Sequence, residues 1–349
     1  MRFRRLYLAL LVAVTALAGW MWWTRPKDEA PKPPNVLLVI TDDQGWGDFG
    51  VHGNRVLETP RLDAFSKQCP TVERFYVSPV CAPTRASLLT GRYNQRTRVV
   101  DTYRGRAMME PDEVTIAEAL KGSGYRTGIF GKWHLGDSHP MRPMDQGFDT
   151  SLVHRGGGLA QPSEPPGNER RYTDALLCQD GDWIRTTGYC TDVYVDEALM
   201  FVDECVDARE PFFAYVATNA PHGPFHDVPE DLYQKYLAKD LGPVLVEGGP
   251  KADRIARTFA MIENIDRNFG RLLDHLDERG VADDTIVVFL VDNGPAGARF
   301  NGGLRGSKSE VYEGGIRSPL WVRWPQRLSP ATVVDRIAAH VDLMPTLLE

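Results

Sequence analysis

The sequence predicts an α/β domain with a mostly parallel central sheet sandwiched by helices. Two observations carry this expectation. Short apolar runs of strand length alternate with segments of helical periodicity. Each of four such runs is also followed within a few residues by ionisable or metal-ligating side chains. Ligands of open parallel sheets bind beyond the carboxyl ends of the strands, so separate segments can deliver these groups to one crevice.

The first run, Asn35–Thr41 (NVLLVIT), leads into Asp42 and Asp43. Residues 125–130 (YRTGIF) precede Lys132 and His134, residues 211–218 (PFFAYVAT) precede His222, and Thr285–Val291 (TIVVFLV) precedes Asp292 and Asn293. Continuous apolar character marks strands buried on both faces. Between the runs, Thr115 is placed to cap a helix through Leu120, and Thr191 or Asp192 to cap one through Cys205. Residues 252–280 carry Ile255, Phe259, Ile262, Ile265, Phe269 and Leu272 at helical spacing. Residues 153–188, rich in Gly, Pro and charge and including Arg155-Gly156-Gly157-Gly158, predict long loops.

A chain of 349 residues that is 42% hydrophobic can bury a large core. Its net charge of −7 gives no general attraction to nucleic acid or anionic lipid, so function belongs in a pocket. At the amino terminus, Arg2, Arg4 and Arg5 precede an uncharged run, residues 6–23, with Ala16-Leu17-Ala18 before Gly19. Residues 1–24 therefore read as a signal peptide or a membrane anchor, with Trp20, Trp22 and Trp23 suited to a membrane interface. Either places the rest outside the cytoplasm: periplasmic, secreted or anchored. Residues 25–34 read as a solvated linker, and 35–349 as one large folded domain. Of the five cysteines, an even set is expected to pair in an oxidising compartment, and Cys178 and Cys190 are close enough for a small bridged loop.

Asp42, Asp43, Asp292 and Asn293 offer hard oxygen ligands, suited to calcium or magnesium rather than zinc. Cys81 stands in Cys81-Ala82-Pro83-Thr84-Arg85, followed by Leu89-Thr90-Gly91-Arg92. This places Cys81 near the start of a helix running to about Thr90, where free amides and the helix dipole favour negative charge. Arg85, one turn on, can reach back to an anion at that residue.

The pattern Cys-x-Pro-x-Arg with Leu-Thr-Gly-Arg resembles the signature of the type I, formylglycine-dependent sulfatases, the arylsulfatase-like branch of the alkaline phosphatase superfamily. The similarity extends through Gly131-Lys132-Trp133-His134-Leu135-Gly136, Pro221-His222, Asp292-Asn293-Gly294, Lys308 and Tyr312-Glu313-Gly314-Gly315-Ile316-Arg317. It covers essentially everything after the linker. The resemblance implies a sulfuric ester hydrolase acting on a small-molecule or carbohydrate sulfate ester. It implies that a maturation enzyme oxidises Cys81 to formylglycine, and that Asp42, Asp43, Asp292 and Asn293 bind one calcium ion with residue 81 as a further ligand. Arg85 and Lys132 are then expected to hold the formylglycine and the sulfate, and His134 to act as base on the hydrate. His222 and Lys308 bind the ester, one of them protonating the leaving oxygen. The hydrate oxygen attacks sulfur, and release of the sulfate re-forms the carbonyl. The family continues into a smaller carboxy-terminal subdomain, whereas this sequence ends at Glu349 within an apolar run, so that subdomain is expected to be missing.

Two other readings compete. A formylglycine-dependent phosphonate or phosphate ester hydrolase would share Cys81 and the sheet, but such relatives carry histidine where Asn293 stands. A non-catalytic, calcium-stabilised protein binding sulfated glycans would fit a Cys81 that stays a thiol.

Overall fold

The computed structural model of the chain describes residues 32–349 apart from 104, 105, 160, 162, 169 and 170. The expected signal peptide or anchor lies outside the described residues. Among the described residues, no helix is long and apolar enough to cross a membrane.

The four apolar runs form β1 (Asn35–Thr41), β3 (Arg126–Lys132), β7 (Phe212–Ala217) and β8 (Thr285–Val291). They lie side by side and parallel within an eight-stranded sheet of order β6-β5-β4-β3-β7-β1-β8-β9. β4 (Thr150–His154) extends the parallel set, while β5 (Leu176–Gln179), β6 (Asp182–Arg185) and β9 (Leu320–Arg323) are antiparallel additions at the edges. A separate parallel pair joins β2 (Thr71–Tyr76) to β10 (Val333–Ala339).

Alternate residues of each central strand enter two different cores, as the two-residue period of a strand requires. Leu37 and Val39 pack on one side with α4 (Cys190–Ala208), α5 (Glu230–Leu237) and α6 (Ala252–Glu278). Val36, Leu38 and Ile40 pack on the other with α2 (Cys81–Thr90) and α3 (Ile116–Gly122). The predicted sandwich is therefore present, with α1 (Pro60–Ser66) also on the first face through Leu62 and Phe65.

Local signals explain some boundaries and fail at others. Thr115 accepts from Glu118 N at 3.1 Å while Glu118 accepts from Thr115 N at 2.8 Å, a reciprocal cap at the start of α3. At α4 the expectation is corrected: the helix starts at Cys190, before Thr191 and Asp192, and Tyr189 supplies no side-chain cap. The Asp192 carboxylate is engaged elsewhere, accepting from Asn264 at 2.9 Å and Asn268 at 2.6 Å on α6. Residues 153–188 are also less loop-like than expected, because β5 and β6 form a hairpin. Its turn, Asp180-Gly181, has positive φ at both residues (47° and 104°), the geometry that matches the twist of a two-residue hairpin.

The cysteine pairing is corrected as well. All five cysteines are buried and unpaired. Cys178 and Cys190, the pair expected to close a small loop, belong to cores on opposite faces of the sheet.

Candidate active site

α2 begins at Cys81 with no side-chain cap on its first amides, since Val80 precedes it, and it ends at Gly91 in the left-handed conformation (φ 62°). All ten of its residues are buried, which fixes the helix beneath the carboxyl ends of β1 and β8. Thr84 pins it there: its hydroxyl donates to the Asp292 carbonyl oxygen at 2.7 Å. Sγ of Cys81 and carboxylate oxygens of Asp42 and Asp292 lie within 4.8 Å of one another, all buried.

Asp42 and Asp43 continue directly from β1, and Asp292 and Asn293 from β8, so pairing of the two strands brings all four together. Asp43 adopts φ 63°, an uncommon conformation for a residue with a side chain, and its amide donates to Asp292 Oδ1 at 3.1 Å. Asn293 Nδ2 donates to Asp43 Oδ1 at 2.8 Å. Asp42 Oδ1 and Asn293 Oδ1 are buried without a hydrogen-bond partner. Buried oxygens left unsatisfied are costly, and two of them beside a carboxylate cluster form a donor set that a hard divalent cation fits.

Basic groups close around the carboxylates. Arg85 donates to Asp292 Oδ2 at 2.9 Å and to the Lys132 carbonyl oxygen at 3.2 Å. Lys132, at the end of β3, donates to Asp42, and Lys308 donates to Asp43. Burial opposes the charge on Asp42, but Lys132, His222, Lys308 and Arg85 together hold its carboxyl far below the usual range. Asp292 moves the opposite way, pushed up by burial and by the neighbouring Asp42. Burial also raises the Cys81 thiol, so an unmodified Cys81 is protonated and a weak nucleophile at neutral pH.

Each of the two histidines has one ring nitrogen held by a backbone carbonyl oxygen. His134 Nε2 lies 3.0 Å from the Thr102 carbonyl oxygen, which can only accept, so Nε2 carries the proton and Nδ1 is free to act as a base. Nδ1 is buried without a partner, and burial followed by Lys132 holds the imidazole neutral. His134 also has φ 60°. In His222, Nδ1 donates to the Gly223 carbonyl oxygen at 2.7 Å, and Nε2 faces Asp43 Oδ2 at 3.7 Å. A cleft of about 680 Å³, lined by Thr102, Tyr103, His134, Asp137, Gly157 and Gln161, opens beside His134.

Every candidate from the sequence is thus found in one buried cluster or at its rim. Some neighbours were missed. His154 ends β4 in register with Lys132, fully buried, with neither ring nitrogen partnered. Its signal was weak, because Thr150 and Ser151 leave only Leu152 and Val153 as apolar residues before His154, and the segment read as loop begins at residue 153. Arg299 supports Asp43 by donating to its carbonyl oxygen at 3.2 Å and is anchored on Asp48 (Nε to Oδ1, 2.9 Å). No local pattern marks Arg299.

The Sulfatase family model matches residues 34–349. The chain belongs to the sulfatase family. It is 32% identical over 368 residues to N-acetylgalactosamine-6-sulfatase of Canis lupus familiaris, covering 99% of this chain and 65% of that protein. Arylsulfatase A of Homo sapiens is 32% identical over 346 residues, covering 90% and 64%. The chain therefore spans just under two thirds of the length of these sulfatases. The crystal structure of Ps i-CgsB in complex with k-i-k-neocarrahexaose matches with a TM-score of 0.78 at 28% identity, over 90% of this chain and 71% of that one. A phosphonate monoester hydrolase of Agrobacterium radiobacter shares the fold, at a TM-score of 0.60 and 21% identity, over 90% of this chain and 73% of that one.

Proposed function

We propose that this sulfatase-family chain hydrolyses sulfate monoesters of carbohydrates through a formylglycine formed from Cys81, with one calcium ion, outside the cytoplasm. The observation that carries this reading is the buried juxtaposition of Cys81 Sγ with the carboxylates of Asp42 and Asp292 at the start of an arginine-bearing helix. The saccharide preference draws on the relatives, among them an N-acetylgalactosamine-6-sulfatase and a structure holding a neocarrahexaose. Asn293 favours calcium over the metals of the phosphonate hydrolases, because an amide oxygen is a hard, neutral ligand.

Asp42, Asp43, Asp292 and Asn293 would hold the calcium ion, which supplies positive charge beside residue 81 when bound. Formylglycine, made by a separate maturation enzyme, would supply a hydrate oxygen as nucleophile where the buried thiol is inert. The remaining work falls to the chain's own side chains. Arg85 and Lys132 converge on the mouth of α2 and face the sulfuryl oxygens, whose charge grows in the transition state. His134 Nδ1, unprotonated and without a partner, takes a proton from residue 81. His222 and Lys308 stand on the Asp43 side, and one of them protonates the leaving oxygen. The alcohol portion occupies the cleft beside His134.

The deciding experiment co-expresses the protein with a formylglycine-generating enzyme, then measures the mass of the tryptic peptide from Phe75 to Arg85 and sulfate release from an aryl sulfate. Formylglycine at residue 81 with calcium-dependent release supports the reading. Formylglycine with release of phosphonate or phosphate esters only would move the chain to the competing hydrolase class, and a peptide left unmodified under these conditions would favour the binding protein.

A further inference from the structure

The residues that leave β4 pass directly over both site histidines. His154 pairs in register with Lys132, and the next carbonyl oxygen, that of Arg155, accepts from the His134 amide at 3.1 Å. The following glycines then run against the two imidazoles. A Cβ built on Gly157 would lie 2.7 Å from His134 Cε1 and 2.8 Å from its Nε2. One built on Gly158 would lie 3.0 Å from His222 Cε1 and 3.1 Å from its Nδ1. Neither glycine has the left-handed φ that would by itself call for glycine. Space against the rings is therefore the reason for them. The Gly157 Cβ would also meet Gln161 Oε1, the tip of a flexible side chain that can swing aside. The His134 ring can give only by straining the bond between its Nε2 and the Thr102 carbonyl oxygen.

The segment is itself held from outside the site. One carboxylate oxygen of Glu164, Oε1, accepts from the amides of both Arg155 and Gly156, each at 2.8 Å, in a mostly buried position. Two bonds to consecutive amides fix the peptide planes immediately before Gly157.

We propose that Gly156-Gly157-Gly158, clamped by Glu164, is a positioning template that sets the orientation of the His134 and His222 imidazoles. Glu164 and the glycines are positioning residues, acting through the rings they abut. Because each glycine meets a different histidine, the template predicts separable effects. Added bulk at Gly157 tilts the His134 ring, and added bulk at Gly158 tilts the His222 ring. Loss of the clamp loosens both. This rests on the proposed sulfatase reading only for its kinetic consequence.

The test uses the full chain labelled with ¹⁵N-histidine. The ring signals of its eight histidines are followed by NMR, and those of His134 and His222 are assigned by their loss in His134→Gln and His222→Gln. Gly157→Ala is expected to move the His134 ring signals and leave those of His222 in place, and Gly158→Ala the reverse. Glu164→Ala, which adds no bulk and so cannot clash, is expected to move both, while Glu164→Gln, whose amide oxygen still accepts both bonds, restores the wild-type signals. In matured enzyme, Gly157→Ala should lower kcat for an aryl sulfate about 10- to 100-fold with KM little changed. Where His222 rather than Lys308 is the group that protonates the leaving oxygen, Gly158→Ala should slow an alkyl sulfate more than an activated aryl sulfate, whose leaving oxygen needs no proton. Unmoved ring signals in Glu164→Ala, or identical effects of the two glycine variants on both rings, would overturn the template. A wild-type protein that carries formylglycine and releases no sulfate would instead overturn the sulfatase reading, with the ring signals still deciding the template.

Discussion

Gly131 shows how a single residue sets the position of a charged group. Its φ is 123°, and a Cβ there would lie 1.9 Å from the Ala217 carbonyl oxygen, so no side chain fits between β3 and β7. Lys132 follows directly, which makes this close approach part of what aims its ammonium at Asp42. Gly131→Ala is expected to cost about 3 kcal/mol of stability through strain and separation of the strands. Urea unfolding measures it, and an unchanged midpoint would remove the close-approach argument. Cys81 presents the opposite case, a residue whose loss should spare the fold. It is small and buried, and burial keeps its thiol protonated. Cys81→Ala is expected to lower sulfate release by about 10³-fold or more, with a melting temperature close to that of the parent. Residual turnover near the wild-type rate would show that residue 81 is not the nucleophile.

At the scale of elements, the start of α1 is capped from another helix. Thr59 precedes α1 without capping it, and its hydroxyl is used by Gly50 N and Asp63. Asp266 on α6 instead accepts from Arg61 N at 3.2 Å and Leu62 N at 2.8 Å. Burial outweighs these bonds and pushes the Asp266 carboxyl up to about 6. A folded-state value above the unfolded one means that the protonated form is favoured by folding. This contribution is complete below about pH 4 and is lost as pH rises through about 6. Asp266→Asn cannot titrate, so the wild type should lose stability relative to it by about 2–3 kcal/mol between pH 4 and pH 7, read from denaturation midpoints across that range. A constant difference would refute the shift. The same contact shows where sequence reading stops. The Thr115–Glu118 cap is legible because both partners lie within one turn. The caps and anchors supplied by Asp266, Asp192 and Arg299 come from residues distant in sequence. Asp180-Gly181 was legible and overlooked, since a two-residue turn of that kind signals a hairpin even between short, weakly patterned strands. The four central strands and the groups beyond them were readable for one reason. Strands buried on both faces must be continuously apolar, so the first charged residues after them stand out.

For the whole molecule, the carboxylate cluster ties together parts of the chain about 250 positions apart, with Asp42 and Asp43 after β1 and Asp292 and Asn293 after β8. A cation bound there can engage these ligands together only in the folded state, so it should stabilise the fold by mass action as well as serve the chemistry. At a free calcium concentration 100 times the dissociation constant the gain is about 2.7 kcal/mol, which for a domain of this size corresponds to a rise of roughly 5 °C in melting temperature. The rise should reverse with a chelator and disappear in Asn293→Ala and Asp43→Asn. It should persist in Cys81→Ala, which separates the ion's structural effect from catalysis. Asp292, pushed up by burial and Asp42, competes for a proton with the ion, so the calcium-induced rise should shrink as the pH falls. Differential scanning calorimetry with calcium, magnesium and chelator decides the matter. A melting temperature indifferent to calcium would mean that Lys132, Lys308 and Arg85 already neutralise the carboxylates, and that the orphaned oxygens of Asp42 and Asn293 are not metal ligands.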